Sequence, residues 1–223
     1  MRLKLFSVLV LGAGLAQAGS DAADRLAVAA KTFKEVMDTP DKAIPQGLLN
    51  RAVCVVIVPG LKKGAFGFSA KYGKGFLSCR NKSGVGWSAP GAIRIEGGGI
   101  GFQIGAEETD AFLLVMNEKG EDRLLSTKFT LGADAIAAAG PVGRSTVAET
   151  DAALSAEILT WSRSKGLFAG ISLNGATLRP DEDWNKEMYG QPLKNRDIVT
   201  GGMAPPASAA ALMADLNKFS SRK

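Results

Sequence analysis

The sequence predicts an α+β fold: a curved, barrel-like antiparallel β-sheet with an N-terminal amphipathic helix, short flanking helices and a C-terminal helix. Three observations carry this expectation. Apolar residues recur at helical spacing over 20–37 and again over 208–219. The runs between them are strand-like, and 27 glycines in 223 residues point to turns, bulges and closely packed strands. The breaks between runs are short, which favours antiparallel neighbours over parallel strands with crossover helices.

The first helix spans Ser20 to Met37. Ala22, Leu26, Ala29, Ala30, Phe33, Val36 and Met37 form one stripe, with Arg25, Lys31, Lys34 and Glu35 largely off it. Ser20 is suited to cap it, Asp21 and Asp24 favour its first turn, and Asp38-Thr39-Pro40 ends it. Such a helix can lie on a membrane surface or pack on a sheet, and packing on the sheet is the simpler expectation. Ile44–Ala52 reads as a short helix with Pro45 in its first turn. It leads into a buried strand, Val53–Val58, with Pro59-Gly60 as its stop.

Ala65–Tyr72 and Gly75–Arg80 read as a hairpin about Gly73-Lys74, and Asn81–Gly84 turns the chain toward Trp87. The centre of the chain is then a meander of three runs, Ala92–Ile95, Ile100–Ile104 and Ala111–Met116. Its breaks are Gly97-Gly98-Gly99 and Glu107-Glu108-Thr109-Asp110. The third run is continuously apolar and fits a strand covered on both faces.

Farther on, Glu121–Ser126 is a short helix and Phe129–Ala139 an Ala/Gly-rich strand, with a helix over Ala133–Ala139 as the alternative. Ala153–Trp161 and Leu167–Leu173 are the last strands, and Asp181–Tyr189 is a short polar helix with Trp184 and Met188 one turn apart. Gln191–Pro206 has linker composition, and Ser208–Phe219 is a terminal helix presenting Leu212, Leu216 and Phe219. The expected organisation is a signal peptide over 1–18, one domain over 19–190, and a linker with C-terminal helix over 191–223.

The signal peptide rests on Arg2 and Lys4, the short apolar run Leu5–Leu15 and the cleavage pattern Ala16-Gln17-Ala18. The run is too short for a membrane span. An exported, periplasmic protein is therefore expected, and peripheral attachment to a membrane surface fits it. In such a compartment Cys54 and Cys79 are expected to pair, closing a loop worth roughly 3–4 kcal/mol in the chain-entropy account. Two separate buried thiols are the alternative.

The absence of histidine excludes Ser-His-Asp and Cys-His catalysis and every imidazole metal site. Carboxylate chemistry stays open, but Glu107, Glu108 and Asp110 are more simply a solvated turn than an acid–base or calcium site. Gly99–Gly105 has the wrong spacing for a dinucleotide loop, and Gly140–Ser145 lacks the Gly-Lys-Ser/Thr ending of a phosphate loop. Ser69, Ser78 and Ser88 have no candidate base nearby in sequence. No catalytic residue, metal ligand, cofactor or enzymatic activity is assigned.

Charge distribution is the functional signal. From Lys42 to Arg94 the chain carries nine basic residues and no acid, which predicts a positive face. Lys62, Lys63, Lys71, Lys74, Arg80 and Lys82, flanked by Leu61, Phe66, Tyr72 and Phe76, suit an anionic lipid surface. Arg163 and Lys165, in the turn SRSKG, form a secondary group. Ordinary solvated turns would look the same from charge alone. Nucleic acid is not expected, since an exported protein rarely meets it.

The segments IPQGLLNRA, GFSAKYGKGFLSCR, GWSAPGAIRIEGGGIGFQIGAE, TLGADAIAAAGPVGR and WSRSKGLFAGISLNGATLRPD occur in this order over about residues 44–190. In these the chain resembles the SYLF domain family. The resemblance implies a lipid-binding module, with phosphoinositide binding in eukaryotic members and actin binding in some. With export expected here, actin is not expected as a ligand. Anionic phospholipid headgroups or lipid A phosphates take the place of phosphoinositides. An envelope protein partner, met by the Gly-rich sheet or the terminal helix, is the alternative reading.

Overall fold

The computed structural model describes residues 20–39, 43–143 and 155–221, with the backbone alone at 65–68 and 99–104. The expected signal segment lies outside these residues, as do Lys42 and the start of the Ala153–Trp161 run.

Helix α1, Asp21–Met37, begins where Ser20 accepts a hydrogen bond from the Ala23 N–H (3.2 Å). Its stripe, Leu26, Ala29, Ala30, Phe33 and Val36, is buried against the sheet rather than offered to a surface. Pro45 caps α2, Gln46–Arg51. Strand β1, Cys54–Cys79, and strand β2, Gly91–Val115, then pair antiparallel along nearly their whole lengths, from Cys54↔Val115 to Leu77↔Gly91.

This ribbon replaces both the expected hairpin and the expected meander. Gly73-Lys74 and Gly97-Gly98-Gly99 are not turns, because each lies within a continuous strand. Pro59-Gly60 does not end a strand either: Gly60 adopts φ 62° and the register shifts between Val58 and Leu61, a bulge that lets the strand bend and continue. Asn81–Gly84 does turn, with the Gly84 N–H on the Asn81 carbonyl (2.7 Å).

A straight strand of 26 residues would span roughly 85 Å. Here its two ends meet, with the Cα atoms of Cys54 and Cys79 3.9 Å apart and their sulfurs bonded. The second half of β1 therefore doubles back over the first. A Cβ at Gly75 would lie 2.1 Å from the Ile57 carbonyl oxygen, and one at Gly73 2.9 Å from Val58 Cγ1. Only glycine permits this approach of backbone to backbone.

The remaining elements extend and cover the curled sheet. Helix α3, Glu118–Leu124, is capped by Asn117 and starts earlier than expected. The Phe129–Ala139 run divides into β3, Phe129–Thr130, and β4, Ala137–Ala139, about Gly132 at φ 83°. Strands β5, Ile158–Ser164, and β6, Leu167–Gly170, follow, then β7, Thr177–Pro180, an element without a counterpart in the sequence reading. Among the described residues, seven strands run β3-β7-β2-β5-β4, with β1 on β2 and β6 on β5. All pairs are antiparallel except β4 on β5.

Helix α4, Glu182–Tyr189, is capped by Asp181, and α5, Asn195–Thr200, lies inside the expected linker. Helix α6, Ala210–Ser220, packs on α1, with Phe33 edge-on to Phe219 at 5.9 Å. Val55, Ile57, Phe112, Leu114 and Trp161 form the core under α1 and α6. Val56, Val58, Ile93, Leu113 and Val115 form the opposite one, closed by Leu124 and Ile198. The Ala111–Met116 run is thus covered on both faces, as its continuous apolarity predicts.

Candidate functional site

Strand β5 reaches β2 only at Asp110–Val115, and β7 only at Ile93–Glu96. Between these stretches the β1–β2 ladder runs on from Lys62↔Glu108 to Lys71↔Gly97, a two-stranded arm carried by the crossing at Gly73 and Gly75. The arm holds three of the expected basic residues. Lys62 is exposed, and Lys63 and Lys71 are half-buried. Burial, with the charge of Lys63 alongside, pushes the Lys71 ammonium below its usual range. The charge of Lys63, eight positions away in sequence, thus acts on Lys71. Glu107 and Glu108 face Lys63 and Lys62 across the ladder and remain exposed. Tyr72, next to Lys71, is 48% exposed, whereas Leu61 and Phe76 are core residues.

Three other predicted residues are committed elsewhere. Lys74 Nζ lies 2.8 Å from the buried Asp181 carboxylate and 4.4 Å from the centroid of the Trp184 ring. Arg80 lies over Trp87 at 3.7 Å and donates to the carbonyls of Leu49 (3.1 Å), Ala52 and Ser220, joining the ends of α2 and α6. Such carbonyls are the usual targets of a cation at a helix C-terminus. Arg163 holds Asp110 (2.9 Å) and Glu35, which ties α1 to β2 and β5. Lys82 and Lys165 are exposed on separate turns, Lys165 at φ 48°. The acid-free span is therefore not one positive face. It divides into an arm cluster, internal ties and isolated turn charges.

One charged group escaped the sequence reading. Arg179 on β7 lies opposite Arg94 in the ladder, and Glu96 pairs with both, at 3.3 and 2.7 Å. The period-two pattern of Thr177-Leu178-Arg179, with Leu178 buried, was its only signal. Among the described residues no helix is long and apolar enough to cross a membrane.

Comparison with known proteins now places this architecture. Residues 96–219 match the family described as Ysc84, Las17-binding protein actin regulator. The human "SH3 domain-containing YSC84-like protein 1" is 34% identical over 200 residues, 87% of this chain and 58% of that protein. "Protein YSC84" of Saccharomyces cerevisiae is 36% identical over 177 residues, 78% of this chain and 37% of its own length.

The chain belongs to the Ysc84, or SYLF, family.

It spans about half the length of the curated relatives it matches, or less. "LAS seventeen-binding protein 3" of the same yeast, 36% identical over 176 residues, covers 77% of this chain and 38% of that protein. These names correct the expectation about partners. The expectation set actin aside because residues 1–18 read as an export signal, yet the family's own description is that of an actin regulator. A leader pattern says nothing about what the folded domain contacts, so actin is not excluded on that ground.

Proposed function

We propose that this chain is a non-enzymatic binding module of the Ysc84 family whose β-ribbon arm engages anionic lipid headgroups. One observation supports the reading above others. Lys71 is half-buried and within reach of the charge of Lys63, an electrostatic penalty that a bound anion would relieve. Lys62 adds a third charge on the same arm, and Tyr72 adds an amphipathic ring of the kind enriched at membrane interfaces. Each lysine near an anionic surface contributes about 1 kcal/mol, so three give roughly 3 kcal/mol, a weak and salt-sensitive attachment. The chemistry is the same on either side of a membrane and does not depend on residues 1–18 directing export.

The test is co-sedimentation with vesicles of phosphatidylcholine alone or with added phosphatidylserine, at low and high salt. Binding is expected only to the anionic vesicles, is expected to fade at high salt, and is expected to be lost in Lys63→Glu/Lys71→Glu with its circular dichroism unchanged. Equal binding to both vesicles, or none, overturns the proposal. The relatives' names favour a second reading, docking to a protein of the actin-regulating machinery. Capture of purified actin or Las17 by wild type and the double variant alike, with no vesicle binding, would select it.

A further inference from the structure

Val115, the last residue of β2, lies opposite Cys54, the first of β1, and α3 starts three residues later. The helix sits directly over this strand end: a Cβ at Gly120 would lie 2.8 Å from Val115 Cγ1. Its next residue is Glu121. The sulfurs of Cys54 and Cys79 and a carboxylate oxygen of Glu121 all fall within 4.8 Å of one another. We propose that Cys54, Cys79 and Glu121 form a redox-gated site for a soft divalent cation of the zinc class, closed by the disulfide and opened by a dithiol reductant.

The surroundings favour a cation. Among the described residues the Glu121 carboxylate has no hydrogen-bond or ion-pair partner, and Glu118 and Asp122 add negative potential beside it. Arg196 pairs with Asp122 at 3.2 Å, and its charge also reaches Glu121, where it is outweighed by burial and the two acids. Both cysteines are buried, whereas Glu121 is partly exposed, so the carboxylate is the side of the cluster nearest solvent.

The chemistry balances in two steps. A dithiol gives two electrons and two protons to the Cys54–Cys79 bond, leaving two thiols here and a disulfide on the reductant. A divalent cation then displaces both thiol protons to solvent and is held by two thiolates and one carboxylate. Three protein ligands leave the fourth tetrahedral position to water. Sulfur donors select zinc or cadmium over magnesium and calcium, which prefer oxygen. While the metal is bound the thiolates are withheld from reoxidation.

The test titrates the full chain with cadmium after reduction by a non-chelating phosphine, following thiolate-to-cadmium absorption. One equivalent is expected to bind the reduced protein and none the oxidised form. Glu121→Gln is expected to bind at least about tenfold more weakly, and Cys54→Ser/Cys79→Ser not to give the band. The proposal is overturned if the reduced, folded protein gives no band, if the oxidised protein binds as well, or if Glu121→Gln binds as tightly as wild type. Loss of far-ultraviolet circular dichroism on reduction overturns it too, because the helix and strand end would no longer frame the ligands.

Discussion

Lys71 holds its charge where burial and Lys63 both oppose it. Its ammonium is easier to deprotonate in the folded protein than in the unfolded chain, where the ordinary value is 10.5. The unfolded chain therefore binds the proton more tightly, and this penalty on folding is full below the folded-state value. It is relieved as the pH rises through that value toward 10.5. Lys71→Gln is accordingly expected to stabilise the unliganded protein near neutral pH, by at most about 0.5 kcal/mol because a half-exposed charge is largely screened. The gain in denaturant midpoint should shrink toward high pH, while binding to anionic vesicles weakens. A variant less stable than wild type would show that Lys71 is held by a contact rather than penalised by burial and by Lys63. The sequence located this arm through its run of lysines without acids. It did not reveal that Lys74 would turn inward to Asp181, or that Arg80 would meet Ser220, 140 positions away. Partners so remote leave no local pattern.

Three helices were legible because their signals are local: the stripe and Ser20 cap of α1, the Trp184 and Met188 spacing of α4 and the apolar face of α6. The strands were legible as strands but not in their connections. Gly73-Lys74 satisfies the composition of a hairpin turn, yet glycine also serves where two backbones cross, and only the distant Ile57 and Val58 decide between the two. Strand β7 has four residues, so its alternation is too brief to mark a strand by itself, and α5 has six, too few to show a period; α5 is held by Asn195 donating to the Ala92 carbonyl (2.9 Å). The crossing predicts a sharp contrast between glycines of one strand. Gly75→Ala sets a methyl against the Ile57 backbone and is expected to cost about 3 kcal/mol or more. Gly64→Ala, with nothing within 4 Å of the added carbon, is expected to change stability by less than about 0.5 kcal/mol. Urea unfolding of the two variants makes the comparison, and equal midpoints would mean that the halves of β1 do not lie as close as described.

Over the whole molecule, the C-terminal helix, which the sequence left free either to dock on the core or to stay loose, docks on it. Ala209, Leu212, Met213 and Leu216 are all buried in the core that holds α1 and Trp87. Burying side chains such as these two leucines and the methionine stabilises by about 1.5–3 kcal/mol each. The same segment satisfies polar groups at the opposite end of the ribbon. Trp87 Nε1 donates to the Ser220 carbonyl (2.8 Å), Arg80 donates to that residue's carbonyl and hydroxyl, and the Gly86 N–H meets the Ser221 carbonyl (2.8 Å). Truncation after Pro206 would expose Phe33 and leave the Arg80 guanidinium and the Trp87 N–H without these acceptors inside the core. The summed loss, on the order of 5 kcal/mol or more, is comparable to the entire stability of a typical domain of 5–15 kcal/mol. A chain ending at residue 206 is therefore expected to lose the near-ultraviolet dichroism of its tryptophans and to unfold without a cooperative transition. Retention of a cooperative transition within about 1 kcal/mol of wild type would mean that the domain closes at residue 190 after all, with α6 an appendage. The location of Arg80 decides against that outcome: a guanidinium stacked on Trp87 and bonded to both helix ends joins the first third of the chain to its last helix.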